Sequence, residues 1–329
     1  MLDFCSRMLY NIMEKTNKER YMDKQNINEP SGILILNKPN GITSHDAVYK
    51  IRKLFSTKRV GHTGTLDPLA TGVLVMLVGR AAKAAEYLVS DEKEYVATLR
   101  LGYTTDTEDV TGKVLEKHEG ELPDTDAVIG AANSFLGESE QIPPMYSALK
   151  VDGKKLCDLA REGVVIERSP RPITVFDIQA TNMCQAGDYR LRVKCSSGTY
   201  IRTLCADIGK KLGCGAVMAT LERTLAGGFR IENAYTLEQL GEMPYDQRVA
   251  ALIPTERLFE RLNAVKLPDF YYKLCRSGCE IYQKKIRTNF ALGERVRLCT
   301  PDGRFFALGE VREFENGSAI KAIKTFELE

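Results

Sequence analysis

The sequence predicts a mixed α/β domain reaching to about residue 250, followed by a small β-rich domain from about residue 264. Two observations carry this. Apolar runs of strand length alternate with helix-period stripes through the first part, and beyond residue 264 those stripes fade into short strands broken by turns. Gly32-Ile33-Leu34-Ile35-Leu36 has the continuous apolar character of a buried strand, and Lys38-Pro39-Asn40-Gly41 is a turn. Thr43-Ser44-His45-Asp46 resembles a capping box opening a helix whose stripe is Val48, Ile51, Leu54 and Phe55. Residues 57–72 form a Gly-rich loop, Val73 to Val78 a second strand, and Ala81 to Leu88 a helix. Tyr95 to Leu101 alternates as a strand does, residues 124–136 are helical in pattern, and strands follow at about 173–183 and 189–196. Ser197-Gly198 opens a helix with Ile201, Leu204, Cys205, Ile208 and Leu212 on one face, ended by Gly213. In the last part, Thr300-Pro301-Asp302-Gly303 joins Arg295–Leu298 to Phe305–Leu308 as a hairpin.

Composition narrows the function classes. The chain has 329 residues, 43% hydrophobic and 27% charged, an ordinary globular balance. No segment approaches the roughly 18 unbroken apolar residues of a membrane span. Nine scattered cysteines show no disulfide framework, and without an export signal they point to the cytoplasm. Residues 1–30 mix both charges with polar side chains and read as a flexible leader. Net charge is +2, but residues 141–230 hold 14 Lys and Arg against 8 Asp and Glu, a local excess suited to phosphate.

The stretch most informative about chemistry is Gly61-His62-Thr63-Gly64-Thr65-Leu66-Asp67-Pro68-Leu69-Ala70-Thr71-Gly72. Its glycines let the backbone bend or approach a ligand closely, and the proline pushes Asp67 toward an extended conformation. Asp67 is thus a carboxylate on a stiff loop, although loop aspartates more often serve turn hydrogen bonds. Arg202 falls in the first turn of the Thr199–Leu212 helix, one position off the apolar stripe, and can look out of the core. A cation at a helix N-terminus is disfavoured without a partner. Tyr95 shares a strand face with Ala97 and Leu99, and on pattern alone it reads as a core tyrosine.

These segments, in this order, resemble the bacterial tRNA pseudouridine-55 synthases, the TruB family. Besides the Gly61–Gly72 string, the resemblance takes in Gly32 to Gly41, Lys93 to Gly112, Gln141 to Lys150, Arg171-Pro172-Ile173-Thr174-Val175 and Cys195 to Gly215, about 200 residues in all. It implies a mixed-sheet pseudouridine synthase core over residues 31–252, an RNA-gripping insert at about 141–170, and a PUA-like RNA-binding domain over 264–329. The implied reaction breaks the bond from the base N1 to the sugar C1′, turns the base and rejoins it through C5, so no cofactor is implied. A carboxylate is needed as nucleophile or base, and the resemblance assigns this to Asp67. Attack at C1′, attack at C6 and deprotonation at C2′ all remain open. Arg202 is implied to pair with Asp67, and Tyr95 to stack on an extruded base. Leu221 is implied to line the uracil pocket, His62 and Thr65 to contact the extruded nucleotide or its neighbours, and Lys38 and Pro39 to brace the tyrosine. Lys150, Lys154, Lys155, Arg161 and Arg168 match the gripping insert, whose phosphate contacts would offset the cost of flipping. The implied partner is the T-arm of tRNA, with no membrane and no obligatory protein or guide RNA, the chain working as a monomer.

One departure stands out. After Leu221 the family has two arginines, and here the pair is Glu222-Arg223, an acid near the expected RNA side. The Lys284-Lys285-Ile286-Arg287 run reads equally as an acceptor-stem contact or a solvated basic turn. Three other motifs carry nothing: the consecutive Ser44-His45-Asp46 cannot form a relay, Cys275 and Cys279 have no second ligand pair, and the Gly-rich loop lacks a P-loop ending. Two rival readings are an RNA-binding or RNA-folding protein without essential catalysis, and a guide-RNA-dependent enzyme of the same family.

Overall fold

The computed structural model describes residues 29–87, 92–147, 149–151 and 153–326. The expected leader falls outside these up to residue 28; Glu29, where the description begins, pairs with Thr57 and Arg59.

The larger unit is built on a nine-stranded mixed sheet. Its strands are β1 (Gly32–Lys38), β2 (Val60–His62), β3 (Thr71–Val78), β4 (Lys93–Leu101), β7 (Gly137–Gln141), β10 (Arg171–Asn182), β11 (Asp188–Cys195), β12 (Ala216–Ala226) and β13 (Phe229–Arg230). The main path runs β1-β3-β12-β4-β11-β10-β7, with β2 beside β3 and β13 beside β12. Every pairing in it is antiparallel except β3 with β12, where Glu222 faces Thr71 and Arg223 faces Gly72. The short strands β5 (Tyr103–Thr105) and β6 (Val114–Lys117) pair separately, as do β8 (Lys150–Val151) and β9 (Lys154–Lys155).

Strand composition follows from what covers each face. β1 and β3 are continuous apolar runs because both their faces are buried. Leu34, Leu36, Leu74 and Met76 belong to the main core, which also holds residues of helices α1 (Ser44–Leu54) and α4 (Ile201–Leu212), while Ile33, Ile35, Val73 and Val75 belong to a second cluster with Ala81, Phe229 and Ile253. β4 has one fully buried face, carrying Tyr95, Ala97 and Leu99, so it alternates. Helix α2 (Thr125–Asn133) closes the same core with Val128, Ala131 and Ala132. Helix α1 starts as its sequence indicates: Thr43 and Asp46 form a reciprocal capping box. Short helices α3 (Leu156–Arg161), α5 (Leu237–Glu242) and α6 (Tyr245–Ala250) complete this unit.

Several expectations need correction. Val60-Gly61-His62 is a strand, not loop, because its backbone pairs with Val78, Leu77 and Met76. The segment after β3 is a 3₁₀ helix, Gly79–Tyr87, and Leu88 lies outside the described residues. Helix α4 begins at Ile201 rather than near Ser197. Tyr200 provides no side-chain cap; instead the buried Gln141 amide accepts from Tyr200 N at 2.8 Å and donates to Tyr200 O at 3.0 Å.

The C-terminal unit is a five-stranded mixed sheet in the order β14-β16-β17-β18-β15 (Ala264–Lys266, Arg295–Cys299, Phe305–Phe314, Gly317–Thr325 and Ile281–Tyr282). The predicted hairpin is β16–β17. The sequence reading missed two helices there, α7 (Asp269–Arg276) and α8 (Gln283–Ile286). They are short: α8 has four residues, and α7, although Tyr271, Tyr272, Leu274 and Cys275 pack on the core of this unit, has only eight, about two turns of pattern.

The two units meet through Ala84, Phe259, Phe305, Leu308 and Phe326, with the Phe305 and Phe326 rings stacked at 5.4 Å. Phe259 is buried at the centre of this seam. Replacing Phe259 with alanine should lower unfolding free energy by about 3 kcal/mol. Chemical denaturation followed by circular dichroism would read this as an earlier midpoint, or as the C-terminal unit melting first.

Candidate active site

Asp67 stands at the top of the loop between β2 and β3, and the loop is held from three directions. Ser44, at the start of α1, accepts from Leu66 N at 2.8 Å and donates to Leu66 O at 3.0 Å. Lys38, at the end of β1, is wholly inaccessible to solvent and donates to Pro39 O and Ile42 O at 2.8 Å and to Pro68 O at 3.4 Å. Arg223, on β12, is equally inaccessible and donates to Val73 O at 2.7 Å, Gly64 O at 3.2 Å and Thr65 O at 3.3 Å. The carboxylate above is therefore fixed through its own backbone, while its side chain keeps 37% exposure.

Arg202 projects from the first turn of α4 and lays Nε 2.9 Å from Asp67 Oδ2. It does not look out of the core as its helix position indicates. Its side chain is only 5% exposed, because the 105–111 and 145–147 segments close over the helix start. There Nη1 donates to Thr107 O at 3.0 Å and Nη2 to Tyr146 O at 2.7 Å, and Asp109 Oδ2 lies 3.9 Å from Nη1. Asp109 is itself oriented by Thr107 Oγ1 at 2.8 Å, Thr111 N at 2.9 Å and Thr111 Oγ1 at 2.5 Å. The guanidinium thus spans two carboxylates and two carbonyls, which resolves the poor placement of a cation at a helix N-terminus. Behind it, Thr203 donates to the Glu108 carboxylate at 2.5 Å, and burial pushes that acid above its ordinary range.

Two cavities flank Asp67. One, of about 340 Å³, is lined by Asp67, Arg202, Tyr95, Leu221, Lys93 and the 197–201 turn. That volume is typical of a site enclosing a small ligand. Tyr95 and Leu221 share its wall because β4 and β12 are antiparallel neighbours, with Leu221 opposite Ala97 and Arg223 opposite Tyr95. Burial pushes the Tyr95 phenol up, and the Arg223 guanidinium works against that shift. The other cavity, of about 580 Å³, opens on the far side of Asp67 and reaches His45, His62, Cys157, Asp158 and Arg161. Thr65 is exposed and lines both. His62 is half-buried on β2, its Nδ1 enclosed without a hydrogen-bond partner among the described residues. Burial, then Arg223 and His45, lower its pKa and favour the neutral ring.

The structure thus brings Asp67, Arg202, Tyr95, Leu221, Thr65 and His62 together. It places Lys38 differently from the expectation of a substrate or tyrosine contact, since its ammonium is turned into the carbonyls beneath the loop. Arg223, expected near the RNA side beside Glu222, is likewise interior. Lys150, Lys154 and Lys155 lie on the β8–β9 hairpin, where Lys154 is exposed; the side chains of Lys150 and Lys155 lie outside the description. Arg161 pairs with Asp158 at 3.3 Å, and Arg168 donates to Pro143 O at 3.0 Å. Asp109, Ser44 and the anchoring role of Arg223 went unnoticed in the sequence. The Asp106-Thr107-Glu108-Asp109 string signalled a family match, but nothing in it showed which acid would face Arg202.

Residues 52–201 match the N-terminal domain of the TruB family of pseudouridylate synthases, and residues 202–260 match the tRNA pseudouridylate synthase B C-terminal domain. The chain is similar to tRNA pseudouridine synthase B of Clostridium novyi (strain NT), 44% identical over 279 residues, covering 85% of this chain and 95% of the relative. It is 42% identical over 287 residues to tRNA pseudouridine synthase B of Bacillus subtilis (strain 168), covering 84% and 92%. Among solved structures, it resembles a chain of a Cbf5-Nop10-Gar1 complex with a TM-score of 0.67 and 28% identity, over 92% of this chain and 87% of that one.

Two outcomes follow from the geometry. Asp109→Asn should leave the fold intact but loosen Arg202, slowing single-turnover catalysis roughly tenfold to a hundredfold with tRNA affinity little changed; stopped-time product assays beside filter binding would check this. Lys38 has its pKa lowered to about 8, chiefly by burial, which outweighs the attraction of Asp67. Between pH 8 and its ordinary value of 10.5 the unfolded chain binds more protons at this residue, so its contribution makes stability rise with pH. The stability gap between Lys38→Met and wild type should therefore shift in favour of wild type from pH 7.5 to pH 10, measured by denaturant titration at each pH.

Proposed function

We propose, from the premise that this chain belongs to the TruB family of pseudouridylate synthases, that it isomerises uridine 55 in the T-loop of tRNA to pseudouridine. The observation that carries the reading is the 2.9 Å contact of Arg202 with Asp67 at the edge of the cavity walled by Tyr95 and Leu221. Asp67 supplies the carboxylate, acting at C1′, at C6 or as a base at C2′. The N1–C1′ bond breaks, a C5–C1′ bond forms, the C5 proton leaves and N1 takes up a proton. Nothing is oxidised or reduced, and these steps call on no cofactor. Arg202 fixes the direction of the carboxylate through a fork that a lysine cannot reproduce.

Tyr95 gives the extruded base a plate to stack on, and Leu221 an apolar edge. Extraction from the T-loop costs a few kcal/mol. The larger cavity takes the neighbouring nucleotides along His62 and Thr65, and the insert bearing Lys150, Lys154 and Lys155 grips phosphate. Glu222 trims the affinity for phosphate without touching the chemistry. The C-terminal five-stranded sheet acts as a PUA-like module against the tRNA stem, with Lys284 and Lys285 on its surface. The enzyme works in the cytoplasm as a monomer without guide RNA. Support comes from its higher identity to bacterial tRNA pseudouridine synthase B, 44%, than to the chain of the Cbf5 complex, 28%.

Tritium release from a tRNA transcript labelled at uridine C5 tests this directly. Wild type alone should release label. Asp67→Asn should release none while binding tRNA within about threefold of wild type, as expected for a group acting on the reacting atoms rather than in binding. A transcript with cytidine at the target should also be inert. Tight binding without release by wild type would favour the RNA-folding or guide-dependent readings.

A further inference from the structure

Arg223 is among the largest wholly buried side chains, and its cation is solvated by carbonyls rather than paired with a carboxylate. Burying a charge is costly, and an apolar side chain of similar size would fill the space more cheaply. Its presence therefore calls for an explanation in what it holds. Its main chain lies between two neighbours that matter: Gly72, where the Asp67 loop ends, and Tyr95. The approach to Gly72 is so close that any Cβ there would collide with the Arg223 backbone, and Gly72 has φ +98° besides. From this seat the side chain turns back under the loop to Gly64 and Thr65, three and two residues before Asp67, and to Val73 beyond it.

We propose that Arg223 is a positioning residue that sets the spacing between the Asp67 carboxylate and the Tyr95 ring. The claim rests on the roles assigned above to those two groups. One side chain joins both ends of the catalytic loop, and its own backbone is in register with Tyr95. Val73 O, Thr65 O and Gly64 O accept from three different nitrogens spread across the planar fork, Nε, Nη1 and Nη2; an ammonium serves three carbonyls only where they converge on one nitrogen, as they do at Lys38, and would not span these. Its charge is felt across the site as well, since it helps to lower the proton affinity of both His62 and Lys38.

The test uses the full chain. Arg223→Lys keeps the charge and removes the fork. It should slow single-turnover tritium release roughly a hundredfold, with tRNA affinity by filter binding within about threefold. Hydrogen exchange should quicken over residues 63–72 and stay slow in β1 and β11. Release within about threefold of wild type, or loop exchange unchanged, would overturn the proposal. Equal losses in binding and in protection of every strand would make Arg223 a merely structural residue, and would overturn it too. Should Arg223→Lys not fold, wild type decides through NMR of nitrogen-15-labelled arginine assigned by through-bond correlation. The Arg223 Nη protons should be separately resolved and slow to exchange at neutral pH; a freely rotating, fast-exchanging guanidinium would sink the idea. Absence of tritium release by wild type would instead be a failure of the assigned activity, and the NMR and exchange results would still judge the clamp.

Discussion

The arrangement depends on two buried cations whose carbonyl bonds tie the Asp67 loop to the turn after β1 and to β3. Lys38 takes Pro39, Ile42 and Pro68 from one side, and Arg223 takes Gly64, Thr65 and Val73 from the other. A loop of this length would ordinarily be mobile, since few of its backbone groups join a ladder. Here the carbonyls beneath Asp67 are spent on fixed donors, so the carboxylate gains a defined direction without being buried. The cost is two desolvated charges, borne by the packing of the nine-stranded sheet around them.

The same sheet decides where the groups opposing Asp67 stand. β3 and β12 form its parallel pair, and β4 follows on the far side of β12. The loop leading into β3, Leu221 and Arg223 on β12, and Tyr95 on β4 thus come from three adjacent strands. Only Arg202 comes from outside the sheet, and its helix starts where the buried Gln141 amide ties Tyr200 in place. Asp67 is left between two cavities, one walled by the sheet and the start of α4, the other reaching Cys157, Asp158 and Arg161 of α3.

Much of this was legible in advance for definite physical reasons. β1 and β3 show as unbroken apolar runs because both faces are covered, and α1 announces its start because its cap is local, Thr43 with Asp46. β2 stayed hidden, since three residues containing glycine have no readable period, and its pairing with β3 is not a property of those residues. Helix α7 was missed because its apolar face, Tyr271, Tyr272, Leu274 and Cys275, lasts only about two turns in an eight-residue helix. In the site, a conspicuous string of residues marked Asp67. Asp109 and Ser44 were not distinguishable from ordinary turn and cap residues.

By itself the sequence determined the alternation of strands and helices, the family resemblance, and the carboxylate on a Gly-rich loop, because each is written in neighbouring residues. The burial and partners of Lys38, Arg202 and Arg223 were decided only in three dimensions. In the sequence Lys38 reads as a turn residue, Arg202 as a cation at a helix start and Arg223 as a base near the expected RNA side, none of them as interior. Each is buried because segments far away in the chain close over it: the Pro68 turn over Lys38, residues 107 and 146 over Arg202, and the Gly64–Val73 loop over Arg223. Whether a charge is solvated by water or by carbonyls is a property of that closure, and no local pattern encodes it.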